Sequence, residues 1–173
     1  MASSPMRIRR RLPAWQRVTR TTLCFMGLGL SLYAYYVEMK KEEDKDYEAT
    51  CDFNESVSCS KVFTSRYGRG FGVVEHILGK DSMLNMPNSL FGIVFFFLQY
   101  VLGQFISHPG SFLLLSTSIF ANMGSVYLAY ILYYVLHDCC LVCVSTYVVN
   151  FLLLVVNIRH NIFVKEMLKK KKV

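Results

Sequence analysis

Four apolar runs, at 23–37, 90–106, 112–136 and 141–158, are separated by polar stretches of very unequal length. Crossing the hydrocarbon of a bilayer takes roughly 20 mostly apolar residues. By that measure the third run is ample, and the second and fourth suffice with their flanks. The first is the shortest, and Arg17 and Arg20 ahead of it give it the outline of a signal peptide. Yet "LGLSLYAYYVEMKKEED" offers no small-x-small cleavage pattern, and its tyrosines suit a membrane interface. It is therefore read as a retained helix. The pattern predicts an all-α membrane protein, a bundle of four transmembrane helices at 23–38, 89–106, 112–136 and 141–158. Basic segments at 1–22 and 159–173 flank the bundle, a long loop covers 39–88, and turns occupy 107–111 and 137–140.

Charge gives that bundle an orientation. The formal net charge is +7, which by itself would suit a nucleic-acid binder. The basic residues, however, crowd the two ends: Arg7, Arg9, Arg10, Arg11, Arg17 and Arg20, then Arg159, Lys165 and the lysines at 169–172. The start of the long loop is mixed and slightly acidic. Terminal basic clusters beside apolar segments follow the positive-inside rule, so the pattern argues for a lipid bilayer and against nucleic acid. Both termini are placed in the cytosol, with "SHPG" at 107–110 as a tight cytosolic turn built from Pro and Gly. The loop 39–88 and the turn 137–140 then share the opposite face. The closing "KKKKV" matches a di-lysine retrieval signal for the endoplasmic reticulum, and equally a lysine tail held to anionic lipid.

The six cysteines carry the candidate chemistry. Cys24 sits within the first apolar run and reads as a small core residue. Cys139 abuts Cys140 and reads as incidental. There remain Cys51 and Cys59 in the loop, and the C-x-x-C of Cys140 and Cys143 where the fourth helix begins. All four fall on the non-cytosolic side, where disulfides form and turn over. A spacing of i, i+3 sets Cys140 and Cys143 on one helix face, about 4.5 Å apart along the axis. The helix dipole and free backbone N–H groups favour thiolates there. Tyr147 follows one turn deeper. Such a strip leads from water into lipid and suits electron transfer from soluble thiols to a lipid-dissolved acceptor. Three plainer readings compete. A static structural disulfide is one. Zinc is another, although the seven residues between Cys51 and Cys59 exceed the usual knuckle. Palmitoylation is the third, and it belongs to the cytosolic face. No phosphate-cradling glycine loop or haem motif occurs, so no nucleotide or metal cofactor is expected.

The stretch "CSKVFTSRYGRGFGVVEHILGKDSMLNMPNSLFG", with "CDFNESVSC" before it and "CLVC" with Tyr147 after it, resembles the vitamin K epoxide reductase family. "SLYAYYVE" in the first helix and "GSVYLAYILYYVL" in the third extend the likeness to nearly the whole chain. The resemblance implies a four-helix protein of the endoplasmic reticulum membrane with its active site at the lumenal end, under a loop cap. It implies reduction of vitamin K epoxide to the quinone, and of the quinone to the hydroquinone, with thiols as reductant and no bound cofactor. Cys143 would contact substrate and Cys140 resolve, while Cys51 is opened by a thioredoxin-like lumenal partner and Cys59 exchanges with Cys140. Asn88 and Tyr147 would hydrogen-bond the quinone oxygens. Phe63, Phe91 and Phe95 would line the pocket, with Val62 and Leu136 nearby. Two departures are Tyr67, where tryptophan is usual, and Cys139, where an aromatic is usual. They bear on the detailed pocket and on affinity for warfarin-type anticoagulants.

Read without the resemblance, several of these residues have simpler roles. Asn88 follows Pro87 at a helix start, the place of a capping asparagine. Phe91 and Phe95 are i, i+4 neighbours that suit helix or lipid packing, and Tyr147 suits an interface. Phe71, Val74, Ile77 and Leu78 have helical spacing, as in a surface helix that holds the loop to the membrane, leaving His76 solvated. The sequon at 54–56 lies inside the loop bridge and is read as unglycosylated. The proton needed to open an epoxide has no visible source. Two other functions fit the same skeleton. One reverses the relay, with quinone as oxidant and disulfides donated to folding proteins. The other is a four-span scaffold of claudin or tetraspanin type, whose loops carry tryptophan-rich or Cys-Cys-Gly motifs; here the single Trp is Trp15, outside the loops.

Overall fold

A computed structural model describes residues 13–54, 57–79, 82, 85–104 and 107–172. Among the described residues the regular structure is helical, with isolated bridges and no strand. Four long helices form the body. The first, α1, is Ala14–Glu43, entered from Pro13 and left with Lys40 and Lys41 in its last turn, where they complement the dipole. It is longer than the apolar run that predicts it, because polar positions at its start are buried against neighbours. Arg20 is 2% exposed, and its Nη1 donates to the Gly103 carbonyl at 3.2 Å. Two short loop helices come next, α2 at Cys59–Thr64 and α3 at Val74–Leu78. The second long helix, α4, is Asn88–Gly103.

The third long helix, α5, is His108–Ile131. Its start corrects one expectation: "SHPG" is not a free turn. Ser107 caps the helix by accepting the Gly110 N–H at 3.2 Å, and the other three residues are the first helical turn. A proline there forfeits an N–H that would be unsatisfied anyway. A π-helical turn, Leu132–Leu136, extends α5 and stops at His137, which is left-handed with φ 52°. The last helix, α6, runs Leu141–Lys172 and carries the basic tail as helix, in keeping with the good helix propensity of lysine and arginine.

In the bundle α1 packs on α4 and α6, and α5 packs on α6 and α4. At Gly27 the backbone of α1 comes so close to α4 that a Cβ would lie 2.3 Å from the Phe96 ring. A ladder of amides and hydroxyls joins α4, α5 and α6. Asn157 Nδ2 donates to Gln99 Oε1 at 2.8 Å and to Ser118 Oγ at 2.5 Å. Gln99 Nε2 donates to Thr117 Oγ1 at 2.8 Å. One and two turns nearer the loop, Asn122 donates to the Asn150 carbonyl and Asn150 to Ser125 Oγ. Lipid tails are as apolar as leucine, so membrane helices choose partners by such bonds and by close backbone approach. The outward side chains fit that setting: Phe97, Phe112, Val126 and Phe151 are all more than half exposed. The stretches Pro109–Leu136 and Leu141–Met167 are long and apolar enough to cross a bilayer. The protein is a mostly helical membrane protein.

Between α1 and α4 the loop folds over one end of the bundle. Cys51 and Cys59 are joined by a disulfide, and α2 touches both α1 and α6. The "RGFG" stretch turns sharply, with Gly70, Phe71 and Gly72 all at positive φ. Gly72 has a second reason to be glycine, since a Cβ there would meet the Tyr67 ring at 2.4 Å. These turns also correct the helical reading of 71–78. The helix covers only Val74–Leu78, and Phe71 lies outside it. Ile77, 74% exposed, does face outward. The side chains of His76 and Leu78, two residues of the 54–56 sequon, the end of the second apolar run at 105–106 and the first twelve residues lie outside the described structure.

Candidate active site

A cavity of about 690 Å³ lies between the four long helices, roofed by α2 and the turns at 65–73. Its walls are mostly apolar. Val62 and Phe63 come from α2, Asn88, Phe91 and Phe95 from α4, Leu136 from the π-turn, and Cys143 and Tyr147 from α6. Every residue assigned to substrate in the sequence thus borders one space, together with one of the four sulfurs. Phe71, absent from that set, borders it as well and stacks at 5.7 Å on Phe91.

The other three sulfurs stand behind the wall. Cys51, Cys59 and Cys140 belong to one buried cluster with Val62, Leu132 and Val142, and Cys143 and Tyr147 pack against it. Cys140 and Cys59 are 0% exposed. Cys140 and Cys143 are free thiols in this structure, and Cys140 Sγ accepts the Cys143 N–H at 3.2 Å, as a residue at a helix N-terminus does. A parallel bridge between Val57 and Cys139 ties the chain just before Cys59 to the chain just before Cys140. Cys139, read as incidental, is exposed and helps to align the two pairs through its backbone.

One carboxylate holds the loop pair in place. Asp52 Oδ1 accepts the N–H groups of Cys59 at 2.6 Å and Ser60 at 3.1 Å and the hydroxyl of Ser58 at 3.0 Å. Its Oδ2 accepts the Ala49 N–H at 2.8 Å. Partial burial alone would raise the pKa of this group, but the hydrogen bonds from Ser60, Ala49 and Ser58 outweigh it. They bring the pKa down from the ordinary 3.8 to about 2. Nothing in the loop's hydrophobic pattern announces this role.

Asn88 is not the cap that its place after Pro87 suggests. Pro87 itself occupies the capping position, and Asn88 is the first helical residue, with no side-chain cap bond. Its amide instead fastens the roof: Nδ2 donates to the Tyr67 carbonyl at 2.7 Å, and Oδ1 accepts the Phe71 N–H at 2.9 Å. The second Nδ2 hydrogen is uncommitted to those two bonds. A residue the sequence reading passed over is Glu38, which ends "SLYAYYVE". It borders the cavity and is 3% exposed, and its Oε2 accepts the Ser89 hydroxyl at 3.2 Å. The available signal was an ionisable residue at the edge of an apolar run.

Comparison with known proteins places the chain in a family. Residues 18–158 match the model of the vitamin K epoxide reductase family. The chain is 50% identical over 133 residues to vitamin K epoxide reductase complex subunit 1 of Mus musculus, covering 77% of this chain and 83% of that protein. It is likewise 50% identical over 131 residues to the subunit of the same name from Rattus norvegicus, covering 76% and 81%. With one thiol of a C-x-x-C pair on the wall of an apolar cavity, its partner and a bridged pair behind it, and these likenesses along most of its length, the chain belongs to the vitamin K epoxide reductase family.

Proposed function

We propose that this protein is a thiol-dependent membrane oxidoreductase that reduces vitamin K epoxide to the quinone and the quinone to the hydroquinone. The observation that carries the reading is Cys143 on the cavity wall with Cys140 buried directly behind it and the Cys51–Cys59 disulfide in the same cluster. A dithiol that closes to a disulfide supplies two electrons, the number each of these reductions consumes. Cys143 sulfur bonds to a ring carbon of the substrate, and Cys140 then attacks Cys143 sulfur. The carbon–sulfur bond breaks, its electron pair stays with the substrate, and a Cys140–Cys143 disulfide forms.

Regeneration uses the loop pair. A thiolate of a thioredoxin-like partner attacks Cys51 and frees Cys59, which attacks Cys140 and releases Cys143. The partner's second thiol detaches the partner as its own disulfide. Cys51 then closes on Cys59 and frees Cys140, so one dithiol is consumed per turnover and the loop disulfide is restored. Electrons reside on sulfur and substrate throughout, and no bound cofactor takes part. The substrate ring is held among Val62, Phe63, Phe91, Phe95 and Leu136, with Asn88 Nδ2 and the Tyr147 hydroxyl directed at its oxygens. The protein sits in the endoplasmic reticulum membrane with four spans at 23–38, 89–106, 112–136 and 141–158, termini in the cytosol and the site in the lumen. The basic ends and the apolar outer faces support that topology.

Microsomes containing the full chain, given vitamin K epoxide and a small-molecule dithiol, should produce the quinone. Cys143→Ala should lower that rate at least 10³-fold, on the order of what loss of an attacking nucleophile costs. Unchanged turnover in Cys143→Ala overturns the assignment.

A further inference from the structure

Opening an epoxide makes a heavier demand on acid catalysis than reducing a quinone. Without a proton, the cleaved carbon–oxygen bond leaves an alkoxide, whose conjugate acid ionises near the value of about 15.7 for water. A quinone that takes up electrons leaves an oxide of the phenol kind, whose conjugate acid ionises near about 10. The thiols provide electrons, but a sulfur that is bonding to carbon cannot at that moment protonate the oxygen. The cavity wall carries one carboxyl group among its described residues, and it is Glu38.

Its carboxyl is held by one hydrogen bond and one long ion pair. Oε2 is bonded to Ser89, the residue after Asn88, which fixes the carboxyl beside the position that directs the substrate oxygen. Oε1 is buried and has no hydrogen-bond donor among the described residues. The charged groups around it are Arg69 of the roof and Glu42 one turn on in α1. Arg69 makes its close contact through Nη2 with Glu42 and leaves its Nε 3.5 Å from Glu38 Oε1. The guanidinium is thus shared between two carboxylates, and Glu38 Oε1, ion-paired to Arg69 at 3.5 Å, accepts no hydrogen bond among the described residues.

We propose that Glu38 is the acid that protonates the epoxide oxygen, an inference that rests on the epoxide-reducing reading above. Cys143 thiolate forms its bond to one epoxide carbon, the bond from that carbon to oxygen breaks, and the oxygen takes the Glu38 proton to become a hydroxyl. Cys140 then attacks Cys143 sulfur, the electron pair of the carbon–sulfur bond forms the quinone double bond, and the hydroxyl leaves. The protons released by the two thiols restore Glu38 and complete the water. The sum is epoxide and dithiol giving quinone, disulfide and water.

The test compares two substrates in one preparation: the full chain in microsomes with a small dithiol, assayed separately on vitamin K epoxide and vitamin K quinone. Glu38→Gln keeps the bulk of the side chain and an oxygen for Ser89. It should lower kcat for the epoxide about 10²-fold while the quinone rate stays within about threefold. Glu38→Asp should recover part of the epoxide rate. In the wild type the epoxide rate should fall as rising pH ionises Glu38, and in Glu38→Gln that limb should be gone. A variant that misfolds, or whose roof loosens because Arg69 has lost a partner, loses both substrates together. Equal losses, or no loss, overturn the proposal. A wild-type protein that reduces quinone but not epoxide overturns the functional reading before the role of Glu38 arises.

Discussion

The two sulfur pairs differ in what holds them. Cys140 immediately precedes, and Cys143 lies in the first turn of, a 32-residue helix that packs against α1 and α5. Their separation is a property of the helix, and no neighbouring side chain is needed to set it. Cys51 and Cys59 lie in a loop whose local structure hangs on Asp52, Ser58 and a six-residue helix. The first pair is set by its helix and turns one sulfur, Cys143, to an apolar cavity; the second is bridged and is tied down by polar bonds of the loop. The contrast fits the division of labour proposed above. A thiol that must meet a small substrate benefits from fixed geometry. A pair that must accept a protein's thiol and then reach Cys140 needs a mounting that opens at small cost.

Removing Cys140, the proposed resolving sulfur, tests that division most severely. In Cys140→Ala the cavity wall and Cys143 remain, so the first bond to substrate can form but cannot be released. Turnover should stop, by at least about 10²-fold, and mass spectrometry of the intact chain should find substrate attached at Cys143. An unmodified protein that still turns over would show that the helix pair does not act as a unit. Cutting the loop pair should have a narrower effect. Cys51→Ala leaves the helix pair and cavity intact, so a small dithiol, which can reach past the roof, should sustain at least about a third of wild-type turnover. With a thioredoxin-like protein as sole reductant the rate should fall at least tenfold. Equal losses with both reductants would mean that the loop pair serves the cavity's structure rather than the delivery of electrons.

The difference between the regions also explains what could be read beforehand. Long helices announce themselves as apolar runs, because a lipid-facing surface requires apolar residues along the whole length. Their ends do not, since Arg20 and the "SHPG" stretch are polar by composition and yet helical, held by a neighbour's carbonyl and by the Ser107 cap. Periodicity failed at Phe71 because helical spacing continues through "RGFG" while three successive positive φ values break the helix there. The two cysteine pairs were legible from their spacing. The bonds of Asp52 and Asn88 were not, because each links backbone groups whose proximity exists only after the loop has folded. Glu38 was overlooked for a related reason. A charged residue closing an apolar run reads as the border with water, and only the roof above it turns that border into an interior.

The gentlest test loosens the loop pair without touching sulfur. Asp52 is held near pKa 2 in the folded loop, below its ordinary 3.8. A carboxylate depressed on folding contributes stability above its unfolded value, and loses it as pH falls through the folded one. Above about pH 4 the clamp on Cys59 and Ser60 should therefore be fully present, and between about pH 4 and pH 2 it should weaken. Asp52→Asn replaces one acceptor oxygen with an N–H₂ group, so at neutral pH it should already resemble the acid form. Because Asp52 is only partly buried, water offsets some of the loss, and the cost belongs near the lower end of about 1–3 kcal/mol. That corresponds to roughly tenfold easier opening of α2. The rate at which a water-soluble phosphine reduces Cys51–Cys59, measured on the full chain, reads this directly. It should climb as the wild type is acidified from pH 4 to pH 2, and should be high with no such climb in Asp52→Asn. Parallel profiles in the two proteins would mean that the disulfide's accessibility is governed by its hydrophobic neighbours Val62 and Leu132 and not by the carboxylate.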